Sequence, residues 1–298
     1  MTRVRMVMRA IAVLTAATGG VARAQQPIAL ARRTTSDVVV RLTGPIARLE
    51  VYAWAHDSVA LTGYLSTGAR LDGGFTRAAD GPSRIVKWFI SDSGTTGGTL
   101  RLDLPARARL ILKLGDAEVT VRGAAGELDL TQLAGTLRII GAPRIVTVDG
   151  FDAAVTLEGS PTTARIKTST GAITLTGSST DLALTTVSGA LTVSGGQHER
   201  VAMEAISGGV TFAGTVRGNG FLTLASHSGP VTLRVAARAV MDVDAATHAG
   251  TIINTLTPQR PLATRSGGQE LGLLLGTGDA TVQIRTFKAP IRIAPLSP

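Results

Sequence analysis

The chain has 298 residues, no cysteine, 35 glycines and only 3% aromatic residues. Without cysteine the fold cannot rest on disulfides or thiolate metal centres, and the length suffices for a hydrophobic core to replace them. The formal charge of +9 falls to +5 once Arg3, Arg5, Arg9 and Arg23 are set aside, and the remaining 26 basic against 21 acidic residues are scattered, which argues against nucleic acid, a ligand that calls for a basic stripe with stacking rings.

Residues 1–24 read as a secretory signal peptide: a basic stretch with Arg3, Arg5 and Arg9, an apolar run over 10–22, and the small-x-small site Ala22-Arg23-Ala24. The apolar run is shorter than the roughly 20 residues a spanning helix needs. The chain is therefore expected to be exported to the periplasm, the cell surface or the medium, with no transmembrane segment after cleavage.

Residues 25–105 are expected to form a β cap. Runs at 37–42, 46–54, 58–64, 85–90 and 99–104 are rich in β-branched or alternating apolar residues and are separated by Gly, Asp and Pro. Both tryptophans, Trp54 and Trp88, lie here; packing in a small β layer is the commoner use of such residues, gripping a sugar ring the rarer one.

From residue 106 the sequence becomes repetitive. A-R-I-K-T-S-T-G-A-I-T-L, starting at Ala164, is answered eighteen residues later by L-A-L-T-T-V-S-G-A-L-T-V. Apolar or small residues alternate, a small residue and glycine interrupt, and alternation resumes, which is strand, corner, strand. Requiring apolar residues two and four places after each corner puts corners at Gly115, Gly135, Ala153, Gly171, Gly189, Gly208, Gly229 and Gly250, with a last one at Ala289. Choosing Gly150 in place of Ala153 would turn Val155 and Leu157 outward. Leu128, Leu130, Val146, Val148, Ile166, Leu182, Leu184, Val201, Met203, Leu222 and Leu224 are the expected interior.

A period near 20 residues with two short alternating runs per copy predicts an all-β fold, a β-solenoid resembling a parallel β-helix, of about eight to ten coils over 106–298 with an N-terminal β cap. Residues 257–269, with Pro258, Pro261, Gly267 and Gly268, read as an inserted loop. Residues 271–275, 276–279 and 280–286 read as strand, turn, strand.

Taken together, I-A-R-L-E-V-Y-A-W-A-H-D-S-V-A-L-T-G at 46–63, L-D-L-P-A-R-A-R-L-I-L-K-L-G-D-A-E-V-T-V at 102–121, the serial S-G corners and L-G-T-G-D-A-T-V-Q-I-R-T at 275–286 resemble the exported bacterial "putative adhesin" group. This is a family of β-solenoids defined as a domain of unknown function. The resemblance covers nearly all of the chain after residue 24. It implies a β-solenoid on or outside the cell envelope with an adhesive role, and it brings no catalytic residues. Ala153 and Ala289 depart from the glycine that the family pattern favours at corners.

Few residues offer chemistry, and no cofactor is expected. His227 and His248 each lie two places before a corner and are expected to stack on successive rungs; with Ser169, Val187, Ile206 and Phe287 at the equivalent positions, a zinc site would lack a third ligand. Small hydroxyl residues before the corners, such as Thr168, Thr186, Ser226 and Thr247, suit tight bends and have no neighbouring base to make them nucleophiles. Glu204 with Asp242 and Asp244, expected two rungs apart, is the thin carboxylate cluster that a polysaccharide lyase or hydrolase would need. The favoured function is a non-enzymatic envelope or surface scaffold that binds a glycan or protein partner; the alternative is a carbohydrate-active β-helix enzyme.

Overall fold

The computed structural model describes residues 26–76, 82–91, 97–265 and 267–296; the expected signal peptide lies outside the described residues. All regular structure among them is β, in one mixed sheet of 21 strands. In chain order the first strands are β1 (Gln26–Thr43), β2 (Arg48–Trp54), β3 (Ser58–Leu65), β4 (Arg70–Phe75), β5 (Ser83–Ser91) and β6 (Gly98–Pro105). Then come β7 (Arg109–Arg122), β8 (Glu127–Gly141), β9 (Ile145–Gly159), β10 (Thr163–Thr168), β11 (Ile173–Thr176) and β12 (Ser179–Thr186). Next are β13 (Leu191–Ala205), β14 (Val210–Ser226), β15 (Val231–Val235), β16 (Met241–Thr247) and β17 (Ile252–Asn254). The chain closes with β18 (Leu262–Ala263), β19 (Gln269–Leu275), β20 (Ala280–Thr286) and β21 (Ile291–Pro295).

From β7 onward, β18 and β19 apart, the strands form two parallel ladders. Residues before each corner pair with one another, as Ile166 with Val148 and Leu184, and Leu184 with Met203. Residues after each corner do the same, as Ile173 with Val155 and Leu191, and Leu191 with Val210. Alternation sends Ile166, Leu182, Leu184, Ile173, Leu175, Leu191 and Val193 into one buried core, each at most 1% exposed. Burial of a side chain of this size contributes about 1.5–3 kcal/mol.

The register corrects the first corner. Gly135 pairs with Ala117, so Gly115 lies two residues too early, and space around it is open. Ala117 and Val119 satisfy the two-and-four rule from Gly115 as well as Val119 and Val121 satisfy it from Ala117. Alternation is the same for both choices, and only pairing across the ladder discriminates.

Glycine at the later corners has a steric cause. A Cβ on Gly171 would overlap the Ala153 carbonyl oxygen, one on Gly189 that of Gly171, one on Gly208 that of Gly189, and one on Gly229 that of Gly208. Each rung thus rests its corner carbonyl against the Cα of the next. A second glycine row, Gly141, Gly159 and Gly177, turns the chain at the far end of the second ladder. There the reason is conformational as well, with φ of 144° at Gly159 and 131° at Gly177.

No break in pairing falls at the expected boundary near residue 105. Residues 39–43 of β1 and 48–52 of β2 pair in parallel with the two halves of β7, so they continue both ladders. β5 and β6 pair in turn with the other edges of β1 and β2, and β3 and β4 add antiparallel pairings. β4, with Gly73 and Gly74 and no alternation, had no sequence signal. Trp88 is buried edge-on to Phe75 at 5.5 Å, whereas Trp54 is half-buried and donates from its indole to the Ser58 carbonyl at 2.8 Å. They form no pair.

The C-terminal rungs are out of chain order. β20 pairs in parallel with β14 on one edge and β16 on the other, and β21 lies likewise between β15 and β17. The last 17 or so residues therefore fill a gap left between two earlier rungs. β19 pairs antiparallel with the far edge of β16, so β19 and β20, adjacent in sequence across a turn, are not a hairpin but flank β16. The expected loop at 257–269 contains β18, which pairs with Gln269 and Glu270 of β19. Asn254 ties its start by donating to the Thr257 hydroxyl at 2.7 Å and the Gln259 carbonyl at 3.0 Å.

A titratable side chain, His198, is fully buried in this core. His198 accepts at Nδ1 from the Ser179 hydroxyl at 2.8 Å, donates from Nε2 to the Gly195 carbonyl at 3.0 Å, and sits edge-on to Phe212. Burial holds its pKa below the ordinary value; the Gly195 hydrogen bond opposes that and Arg217 adds to it. The neutral ring is satisfied as it stands, and protonation would force the Ser179 hydroxyl to give up its hydrogen bond to Nδ1.

Two outcomes follow. Leu184→Asp, which puts a carboxylate among stacked leucines, should cost more than about 4 kcal/mol, while Lys167→Asp on the exposed side of the neighbouring rung should cost about 1 kcal/mol or less; equal melting temperatures would contradict the assigned faces. Acid should also destabilise the fold through His198. Below the ordinary histidine value of about 6.5 the unfolded chain takes up a proton that the folded chain refuses, so stability is lost as pH falls through that value toward the lower folded one. The loss in melting temperature from about pH 7 to pH 5 should shrink in His198→Gln, and equal slopes would count against it.

Candidate functional site

The corners build a continuous exposed row. At Thr186-Val187-Ser188-Gly189 the Thr186 hydroxyl is buried and accepts from the Gly189 amide at 3.1 Å. Ser226 and Gly229 repeat this at 2.9 Å, and Thr247 and Gly250 at 3.0 Å. At the earlier corner Thr168 donates to the Gly171 carbonyl at 2.6 Å, and Thr286 does the same to Ala289 at 2.8 Å. The hydroxyl residues are thus bend-formers. The residue after each is forced to the apex of the bend, outside the core.

Successive registers place Leu133, Phe151, Ser169, Val187, Ile206, His227, Phe287 and His248 in one row, in that order. Leu133, Phe151 and Ile206 are more than half exposed, and Val187 and Phe287 nearly so. An apolar residue left in water at one place of a repeat is ordinary; a row that repeats them makes an extended exposed apolar strip. The signal in the sequence is an apolar residue two places before five of the corners, Leu133, Phe151, Val187, Ile206 and Phe287, with Ser169, His227 and His248 at the others.

His227 and His248 do not lie on successive rungs, because β20 comes between them. Phe287 stacks on His227 at 4.8 Å with planes 7° apart, and on His248 at 4.9 Å with planes 10° apart. The histidines are thus two strand spacings apart, about 9.6 Å, whereas ligands of one zinc lie about 2 Å from the metal. No group of three or more His, Asp or Glu side chains is placed to hold a metal among the described residues.

Beside this row runs a shallow groove of 430 Å³, lined by Thr185, Glu204, Ile206, His227, Arg285 and Phe287 among others. It brings Glu204 and His227 together. Arg285 is held away from free use: its guanidinium pairs with the Asp244 carboxylate and donates to the Asp244 carbonyl at 2.9 Å. Glu204 makes no ion pair among the described residues, so its carboxylate is available to a ligand's donors.

The carboxylate cluster does not form. Glu204 stands on β13 and Asp244 on β16, with β14 and β20 between them. Three strand spacings are about 14 Å even before the offset along the strands, and Asp242 lies farther off. Glycosidase carboxylates stand about 5–10 Å apart. Expecting two rungs instead of three followed from assuming that rung order equals chain order.

No family model and no curated protein matches this chain. Solved structures similar to it at low identity include the following. A "putative adhesin" from Bacteroides fragilis NCTC 9343 shares 10% identity over 92% of this chain and 100% of its own, with a TM-score of 0.44. A "putative cell adhesion protein" from Clostridium sporogenes ATCC 15579 shares 8% identity over 91% of this chain and 100% of its own, at 0.23. A "putative adhesin" from Parabacteroides distasonis ATCC 8503 shares 8% identity over 90% of this chain and 97% of its own, at 0.24.

The bend chemistry is testable. Thr186→Val keeps the shape but removes the acceptor for the buried Gly189 amide, which should cost about 1–3 kcal/mol; Gly189→Ala, which drives a methyl into the Gly171 carbonyl of the preceding rung, should cost about as much or more. Chemical denaturation of the two variants measures both, and unchanged midpoints would show that the corner is not held this way.

Proposed function

We propose that this chain is an exported, non-enzymatic β-solenoid that acts as a binding scaffold on the cell envelope or surface, and that it contacts its ligand along the corner row and the Glu204 groove. The solenoid reading is supported by the return of the chain to the same two ladders every 18 to 21 residues through the regular part. The export reading rests on residues 1–24. The adhesive reading agrees with the sequence resemblance given above.

The observation that carries the assignment is the row itself. Eight apex positions at about 4.8 Å spacing make a straight strip about 34 Å long, which suits an extended polymer better than a compact small molecule. Along its side, Glu204, Thr185 and His227 offer hydrogen-bonding groups, while Ile206 and Phe287 offer apolar surface. Hydroxyls over one set and C–H faces over the other is the pairing that sugars require. A glycan is therefore favoured over a protein partner. The enzyme reading loses its carboxylate pair to the rung order.

Binding should be sought on a panel of cell-wall and extracellular polysaccharides, with and without the double variant Ile206→Asp/Phe287→Ala. Retention of a glycan by the parent chain, a loss of at least tenfold in affinity in the variant, and an unchanged melting temperature are expected. Binding by the variant equal to the parent would move the contact elsewhere, and new reducing ends or unsaturated products would restore the enzyme.

A further inference from the structure

The two ends of the sheet are finished differently. At one end β4 pairs only with β5, and its other edge carries Arg70 and Asp72 and is bent by Gly73 and Gly74, with φ of 91° and 147°. Charge and irregular backbone are the usual protections of an exposed strand edge. At the opposite end the part of β19 beyond Glu270 has neither. Its sequence from 271 to 275 is L-G-L-L-L, with no charge, no proline and no positive φ.

β18 covers only the beginning of that edge, at Gln269 and Glu270. The Thr264 amide donates to the Gly268 carbonyl at 2.9 Å, which shows that the backbone groups of 268 face β18. Alternation then turns the N–H and C=O groups of Glu270, Gly272 and Leu274 to the same side, while those of 271 and 273 face β16. Glu270 has Leu262 opposite it; Gly272 and Leu274 have no strand opposite them among the described residues. Leu274 is 67% exposed, and the space where a Gly272 side chain would stand is empty.

We propose that β19 pairs antiparallel with β19 of a second copy of this chain, about a two-fold axis through Leu273. Strand pairing by β18 of each copy ends at Glu270, which leaves 271–275, centred on Leu273, without a paired strand; Gln259 and Arg260 border Leu271 and Gly272 and must swing outward as the second copy docks. In that register Gly272 opposes Leu274 of the other copy. These are the residues whose amides and carbonyls face outward, so they exchange both hydrogen bonds. Each exposed Leu274 lies across from the vacant side of a glycine, and the edge is complementary to itself. An isologous pairing of this kind closes as a dimer and leaves no further edge to propagate. In a dimer the corner rows of both copies would belong to one particle, giving a surface binder two attachments.

Sedimentation of the chain should show a dimer that dissociates on dilution. Leu274→Lys should raise the dimer dissociation constant at least tenfold with an unchanged melting temperature. The chain has no cysteine, so register can be read by crosslinking. Gly272→Cys mixed with Leu274→Cys should form a disulfide on oxidation, because directly opposed positions lie about 5.5 Å apart at Cα. Either variant alone should crosslink poorly, since like positions are diagonal neighbours. A parent chain that stays monomeric at every soluble concentration would overturn the proposal, as would crosslinking of Gly272→Cys with itself in preference to the mixture.

Discussion

Everything in this molecule depends on parallel strands stacked in register, with each rung's corner carbonyl lying against the Cα of the next. At about 4.8 Å per rung there is no room there for a Cβ between Gly171, Gly189, Gly208 and Gly229. In-register stacking also decides what every other residue does. It piles Leu182 and Leu184 onto their counterparts in the core. It hides Thr186 and Ser226 beneath the bends, and it leaves Val187, Ile206 and Phe287 in water. The exposed apex row and the core are thus two outcomes of one periodicity. Cross-rung ion pairs such as Arg138 with Glu158 and Arg165 with Asp181 decorate this arrangement, but exposed pairs of that kind contribute at most about 1 kcal/mol each.

The second determinant is the place of the last two strands. β16 leaves a rung-wide gap beside β14, and the chain runs out through β18 and β19 before β20 and β21 return to fill it. This exchange puts Phe287 between two histidines and sets Glu204 one strand farther from Asp244. It also makes β19 the terminal strand. A metal-like histidine pair and a catalytic carboxylate pair both disappear through it, while an aromatic stack and an open apolar edge appear.

Much of this was legible in the residues. The period-two burial of Ile166, Leu184, Met203 and Leu224, the hydroxyl residues at the bends, and the overruling of Gly150 by Ala153 all follow from side-chain alternation. The ladder confirms the pairing of Gly135 with Ala153. Less legible was the glycine itself: Gly189 relieves no backbone strain of its own but yields space to a neighbour eighteen residues away. β4 and the first half of β1 were invisible because their residues do not alternate, and their pairing partners alone make them strands. His198, one of four polar residues in Gln197-His198-Glu199-Arg200, gave no sign that it would be buried or that Ser179 and the Gly195 carbonyl would satisfy both ring nitrogens.

By itself the sequence determined the all-β class, the rung length, the buried face and the bend chemistry, because these are local properties repeated at a fixed spacing. Only the tertiary structure decided which rung neighbours which. Hydrophobic alternation specifies the face a residue takes and is nearly the same on every rung, so it cannot distinguish β16 from β20 as the neighbour of β14. That choice rests on contacts between strands far apart in the chain, and the histidine stack, the carboxylate spacing and the free edge of β19 all follow from it.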